Sequence, residues 1–486
     1  MLSHELRDAL KLRVNFCGKK PTRLLTIFFR YATIEHMSPN GSDKKEIYME
    51  TLRFDTEKRY GKFKILNATN GGPWCKRHIN DQPRSNFAEY KAARIPYSRN
   101  HDSAVAAVYG GPYSHDISRI FPRFDADVND PASYDFECTD EAILICLDAG
   151  TETFFRLGQT IEHHIKKHAI IPPADFQKWA QICEHIIMHY NEGWANGMHL
   201  GIQYWEIWNE PDLYAGSKEK ASPTWGGTEE LFWDFYEVAA KHLKAKFPNL
   251  KIGGPAICGD VEWGERFLAE MQRREVPMDF FSWHIYTKFP EKVAERAEKV
   301  DALMKKYGYA DAESILNEWN YVRGWDVENF PYSIMAIHGL KNASFITATM
   351  ALSQPSPVDM LMYYDTRPSA FCGIFDFYSY KPLKGYYALK WYGEFYDMEY
   401  EIRSENSVDN IYALCGARAD GKILAMLTYY SEDDSAPVKE LCVDFGKSGK
   451  YEIYLVDENN DETLIDTTDA VNLKLSVHSC VLIKEI

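Results

Sequence analysis

No C-x-x-C pair, no H-E-x-x-H and no uncharged apolar run of 18 residues occurs in this chain of 486 residues. The ten cysteines are thus spread without a zinc-knuckle spacing, the commonest helical zinc signature is missing, and no segment suits a transmembrane helix. Basic charge is scarce as well: 55 Lys and Arg face 71 Asp and Glu, a net charge of −16. Such a chain repels phosphate backbones and anionic lipid, which excludes nucleic acid and membrane surfaces as principal partners. The opening MLSHELRDALKLRVNF has no basic stretch followed by an apolar one, so no secretory signal is read, and reduced thiols in a cytoplasm are the expectation.

What the chain has in plenty is aromatic surface. Phe, Trp and Tyr make up 14% of it, with 12 Trp and 31 Tyr. Short apolar segments at 64–70, 95–100, 153–158, 202–209, 251–255, 280–286, 313–317 and 360–364 read as strands, and helical periodicity lies between them. In 174–190, Phe176, Trp179, Cys183, Ile186, Ile187 and Tyr190 fall on one face, behind Pro172 and Pro173. In 229–247, Leu231, Phe235, Val238, Ala239 and Leu243 make a second stripe, with Glu229 and Glu230 at its positive end. Eight strands alternating with helices predict an α/β fold, a (β/α)8 TIM barrel over 62–394. An open doubly wound sheet is the alternative, but no G-x-G-x-x-G follows the first strand.

After 395 the period changes to two. Segments 410–417 and 423–430 flank Asp420-Gly421, a hairpin signal, and further strands are read at 439–445, 451–456, 473–477 and 481–484. This predicts an accessory C-terminal β-sandwich over 395–486. Within 1–61, segments 24–31 and 47–54 read as strands and are expected to join it.

Three segments end predicted strands, where barrel enzymes carry their chemistry. YWEIWNEPDL places Asn209-Glu210-Pro211 after strand four, DFFSWHIYT places His284 and Tyr286 at the end of strand six, and SILNEWN places Glu318 at the end of strand seven. Most Glu residues are solvated surface groups. These two sit among Trp208, Asn209, Pro211, Leu316 and Trp319. A carboxyl pair across a barrel mouth is what glycosidic cleavage requires, one to protonate the leaving oxygen and one to attack the anomeric carbon or steer water.

With these motifs the sequence resembles glycoside hydrolase family 39, the family of β-xylosidases and α-L-iduronidases. WEIWNEPDL resembles its acid/base motif, KIGGPAICG its fifth-strand segment, VPMDFFSWHIYT its sixth, LNEWN its nucleophile strand, and PPADFQKWAQI a helix entry. The resemblance implies Glu210 as acid/base and Glu318 as nucleophile in a retaining exo-glycosidase. By position Arg99 would hold Glu318 ionised, Asn209 would bond the sugar 2-hydroxyl, Tyr286 would brace Glu318, and His284 and His101 would bind hydroxyls. Trp208, Trp225, Trp319 and Trp325 are candidate sugar faces.

The chain departs from the pattern at Trp283, where the xylosidases carry Arg, and at Asn317, where they carry Thr; Asp212 is closer to the iduronidase branch. The eighth-strand segment YYDTRPSAFCGIF also differs. Arg323 and Arg367 are candidates for binding a uronic carboxylate, against pairing with acids such as Asp326 or Asp365. The pairing is favoured, so the expected substrate is an oligosaccharide ending in a neutral pentose, a β-xyloside or arabinoside. An iduronidase-like member and a catalytically silent sugar-binding barrel are the alternatives. Glu162, His163, His164 and His168 could serve a metal-dependent hydrolase, but nothing marks a third ligand, and neither a metal nor a cofactor is expected. The resemblance also implies a homo-oligomer.

Overall fold

The computed structural model describes residues 49–76, 84–101, 113–161, 170–367, 369 and 371–486. The strand expected at 24–31 and the run from Glu162 to His168 lie outside them.

Eight parallel strands close into a barrel: β1 (Ile65–Asn70), β2 (Tyr97–Asn100), β3 (Glu152–Leu157), β4 (Tyr204–Ile207), β5 (Lys251–Ile257), β6 (Phe280–Thr287), β7 (Glu313–Tyr321) and β8 (Met360–Tyr364). The sheet is parallel throughout and β8 pairs with β1, so no strand edge is left open. Helices cover the outside, and the strands read as continuous apolar runs because both faces are buried. Helix Phe176–Glu192 starts where the Asp175 carboxylate accepts the Lys178 N–H, and stops at Gly193 in the left-handed region. Helix Glu229–Lys246 is capped likewise by Thr228, which accepts from the Leu231 N–H.

Inside the barrel the floor is apolar. Ala68, Phe154, Tyr204, Phe280, Ile315, Met360 and Met362 form one buried cluster. Because side chains alternate, the next inward residues up each strand are Asn70, Arg156, Glu206, Ser282, Asn317 and Tyr364. Polar groups therefore stand on a dry floor. Gly253 on β5 lets the neighbouring strand approach, since a Cβ there would come within 2.2 Å of the Phe280 carbonyl oxygen.

The prediction for strand seven was too short. It runs on to Tyr321, and its register against β6 slips between Leu316 and Glu318. The extra residue at this bulge turns Asn317 and Glu318 inward together, which simple alternation forbids.

Beyond the barrel, six antiparallel strands lie in the order Tyr400–Ile402, Ile411–Ala417, Ile423–Tyr429, Cys480–Glu485, Tyr451–Val456 and Thr463–Thr468. A three-stranded sheet faces them: Glu50–Arg53 parallel to Lys439–Asp444, which pairs antiparallel with Val471–Leu475. Leu52, Ile402, Leu427, Leu441, Ile453 and Leu473 share the core between the sheets. Strand Thr463–Thr468 was not foreseen. It is an edge strand whose side chains are almost all exposed, so it carries no alternating pattern.

Candidate active site

Strand β4 ends at Ile207, but the next residues stay tied to its neighbours. The Trp208 N–H donates to the Leu157 carbonyl at 2.7 Å, and the Glu210 N–H to the Ala256 carbonyl at 2.9 Å. Between these anchors Trp208 (φ +74°) and Glu210 (φ +48°) both adopt the left-handed backbone that non-glycine residues avoid. The Thr224 hydroxyl adds a 2.6 Å bond to the Glu210 carbonyl. The strain is held from both sides, and it carries the Glu210 side chain over the barrel mouth.

Glu318 comes from the bulge in β7. Its Oε1 accepts from Arg99 Nη1 at 2.9 Å and its Oε2 from the Tyr286 hydroxyl at 2.8 Å. His284 stands between the two carboxylates, with Nδ1 2.8 Å from Glu210 Oε1 and 3.6 Å from Glu318 Oε2. One donor atom from each of Glu210, His284 and Glu318 lies within 4.8 Å of the others. The two carboxyl groups, far apart in sequence, thus meet at the mouth, both almost fully buried.

Arg99 organises this layer. Its Nε donates to Glu206 Oε2 at 2.6 Å, its Nη1 to Glu318, and its Nη2 to Asn209 Oδ1 at 2.6 Å. Burial works against the Arg99 charge, but Glu206 and Glu318 outweigh it and the pKa is raised. Glu206 is satisfied on its other oxygen by the Ser282 hydroxyl at 2.6 Å and Asn317 Nδ2 at 2.5 Å. Sequence reasoning passed over Glu206. The available signal was a charged residue inside an apolar run, between Trp205 and Ile207, which must find a partner when buried.

Burial disfavours the charged form of both His101 and His284. Burial pushes His284 down to about 4 in spite of Glu318, and pushes His101 well below its ordinary value, helped by Arg99 and Arg156. Asp212, two residues past Glu210, accepts the N–H groups of Cys258, Gly259 and Asp260 at 2.8, 3.3 and 3.2 Å. Burial dominates there, and its pKa rises to about 7. Glu210, His284 and Glu318 have the donor types of a metal site. Within the described residues these atoms are already engaged, Glu318 Oε1 by Arg99 and Glu210 Oε1 by His284 Nδ1.

Other sequence candidates fare differently. Trp319 and Trp225 do not reach the mouth. Trp319 follows the inward Glu318 and so points outward, edge-on to Tyr363 at 5.4 Å and near Phe345. Trp225 is buried against Trp208, Phe232 and Phe235, its indole N–H bonded to the Thr228 carbonyl. Both are core residues. Trp325 is 62% exposed, stands edge-on to Tyr286 at 5.4 Å, and stacks with Phe330 and Phe371. Arg367 forks onto Asp365 through Nε and Nη2 at 2.9 and 2.8 Å. Arg323 pairs not with Asp326 or Asp365 but with Glu432 of the sandwich, at 2.6 Å.

Residues 111–316 match the profile of the family described as Glycosyl hydrolases family 39. A β-xylosidase of Geobacillus stearothermophilus is 36% identical over 128 residues, 26% of this chain and 24% of that protein. One from Caldicellulosiruptor saccharolyticus is 28% identical over 164 residues, 32% and 31% of the two chains. The chain thus aligns with a third or less of the length of these relatives. Among solved structures, a glucosidase from Croceicoccus marinus superposes with a TM-score of 0.72 at 23% identity, over 90% of this chain and 99% of that one. A monomeric β-xylosidase from Caulobacter crescentus CB15 gives 0.64 at 15% identity, over 90% and 99%.

Proposed function

We propose that this member of glycoside hydrolase family 39 is a retaining exo-glycosidase that releases a neutral pentose, a β-xyloside first, from oligosaccharides. The reading rests above all on the closeness of the Glu210 and Glu318 oxygens, within 4.8 Å. A retaining enzyme holds its carboxyls about 5–5.5 Å apart, whereas an inverting one leaves about 6.5–9.5 Å for water. Glu318, braced by Arg99 and Tyr286, attacks the anomeric carbon as the carboxylate while Glu210 protonates the leaving oxygen. A glycosyl-Glu318 ester forms and the alcohol departs. Glu210 then takes a proton from water, the water oxygen bonds to the anomeric carbon, and Glu318 is freed.

Asn209 gives this chemistry a hydroxyl partner. Its Oδ1 is held by Arg99, while its buried Nδ2 has no partner among the described residues and can donate to a sugar oxygen. The choice of a neutral substrate is supported by the pairing of Arg323 with Glu432 and of Arg367 with Asp365, in place of a uronic carboxylate. Exo action is carried over from the relatives named β-xylosidases.

A panel of nitrophenyl glycosides tests the substrate, with glucosides included because of the Croceicoccus marinus glucosidase. Faster turnover of uronides than of xylosides would reject the neutral assignment. NMR of the first-formed sugar reads the stereochemistry, and an inverted anomer would reject the double displacement.

A further inference from the structure

His101 follows β2 and lies fully buried beside the nucleophile. A neutral imidazole has one N–H and one bare nitrogen, and its role at the sugar depends on which is which. Arg156, the inward residue of β3, is also fully buried, and its Nε donates to His101 Nδ1 at 3.2 Å. A guanidinium has donors only, so Nδ1 must be the acceptor and Nε2 must carry the proton. That Nε2 lies 3.7 Å from Glu318 Oε1, the oxygen already engaged by Arg99. This is too far for a hydrogen bond but places the donor at the edge of the space where the reacting sugar must sit.

Arg156 is held in turn. Its Nη2 donates to Asp116 Oδ1 at 3.0 Å, and the same oxygen accepts the Thr160 N–H and hydroxyl, both at 2.9 Å. Asp116 fixes the guanidinium, and the guanidinium fixes the imidazole.

We propose that Arg156 is a positioning residue that locks His101 as the Nε2–H tautomer, so that this imidazole offers a proton donor to the sugar hydroxyl beside Glu318. Burial disfavours the charged form of His101 and leaves the tautomer as the choice, and the Arg156 donor at Nδ1 decides it. His284 is set differently: its Nδ1 faces the Glu210 carboxyl, so its proton follows the state of the acid/base.

The proposal rests on the assignment of Glu318 made above, yet it is readable without turnover. Long-range proton–nitrogen spectra of the full chain labelled with ¹⁵N-histidine, without ligand, should show His101 with bare Nδ1 and protonated Nε2, its signals assigned by their loss in His101→Gln. In Arg156→Met the pattern should shift toward protonated Nδ1, and kcat/KM on a nitrophenyl xyloside should fall about tenfold, the worth of one hydrogen bond. In the His101→Gln background Arg156→Met should cost nothing more, because it acts through His101. Arg156→Met leaves Asp116 buried without its cation, so Arg156→Met with Asp116→Asn added serves if that protein does not fold. This pair removes the unpaired charge together with the donor to Nδ1, and the same tautomer shift is expected. An unchanged tautomer in whichever of these proteins folds, or additive losses when Arg156→Met is combined with His101→Gln, would overturn the proposal. If Glu318→Ala proved fully active while the spectra matched, the catalytic assignment would fall and the tautomer would stand.

Discussion

Arg99 and Glu206, on strands separated by β3, meet in full burial with Nε and Oε2 2.6 Å apart, and the same guanidinium reaches Glu318. Glu318 therefore depends on a residue one layer deeper. Glu206→Ala should strip Arg99 of its inner partner and destabilise the fold by about 3–5 kcal/mol in denaturant unfolding. Activity should fall with it. Glu206→Gln keeps an acceptor and should lose less of both. A Glu206→Ala protein of unaltered stability would show that Arg99 is held by other means.

The proposed catalytic pair, Glu210 and Glu318, has its own signature. Glu318→Ala should abolish turnover, and added azide should restore it with inverted stereochemistry. Glu210→Ala should lose about 10²–10⁴-fold on poor leaving groups while sparing the first step for activated ones. Near-normal rates in Glu318→Ala would remove it as nucleophile.

The tryptophans divide by alternation. Trp319→Ala, in the core, should cost about 3–5 kcal/mol of stability. Trp325→Ala, at an exposed ring, should stay within about 0.5 kcal/mol of the parent yet raise KM if sugar rests there. Melting curves and substrate titrations on the two variants separate the roles.

Asp212 predicts a pH effect. Burial raises its folded pKa to about 7 from an ordinary 3.8, so the folded state binds the proton more tightly than the unfolded one. Its contribution to stability is present in full below the ordinary value and is lost as pH rises through the folded one. Asp212→Asn should remove this decline between roughly pH 4 and 7. The variant also faces an amide N–H₂ toward the Gly259 and Asp260 N–H groups, a penalty that does not vary with pH. Slope, not offset, is the test, and parallel stability curves for the two proteins would refute it.

Much of the barrel was legible because parallel strands covered on both faces show up as short apolar runs. All eight sequence candidates overlap an observed strand, and their ends locate Glu210, His284 and Tyr286. The bulge at Asn317 was not legible, since a register slip leaves no compositional trace. Pairing resumes beyond the slip and runs on to Tyr321, so Glu318 lies inside a strand rather than at its end. Trp319 misled because it neighbours a catalytic candidate, although neighbours on a strand face opposite ways. Arg323 misled because its partner, Glu432, belongs to a domain far along the chain, which no local reading would pair with it.

The strand Glu50–Arg53 pairs with Lys439–Asp444, so a segment ahead of the barrel is completed by one behind it. During synthesis this strand leaves the ribosome almost a whole chain before its partner and waits with an open backbone edge. A gene cut after the barrel would strand Leu52 and Phe54 without the neighbours that bury them. Such a fragment should be recovered as aggregate rather than as a free-standing catalytic unit.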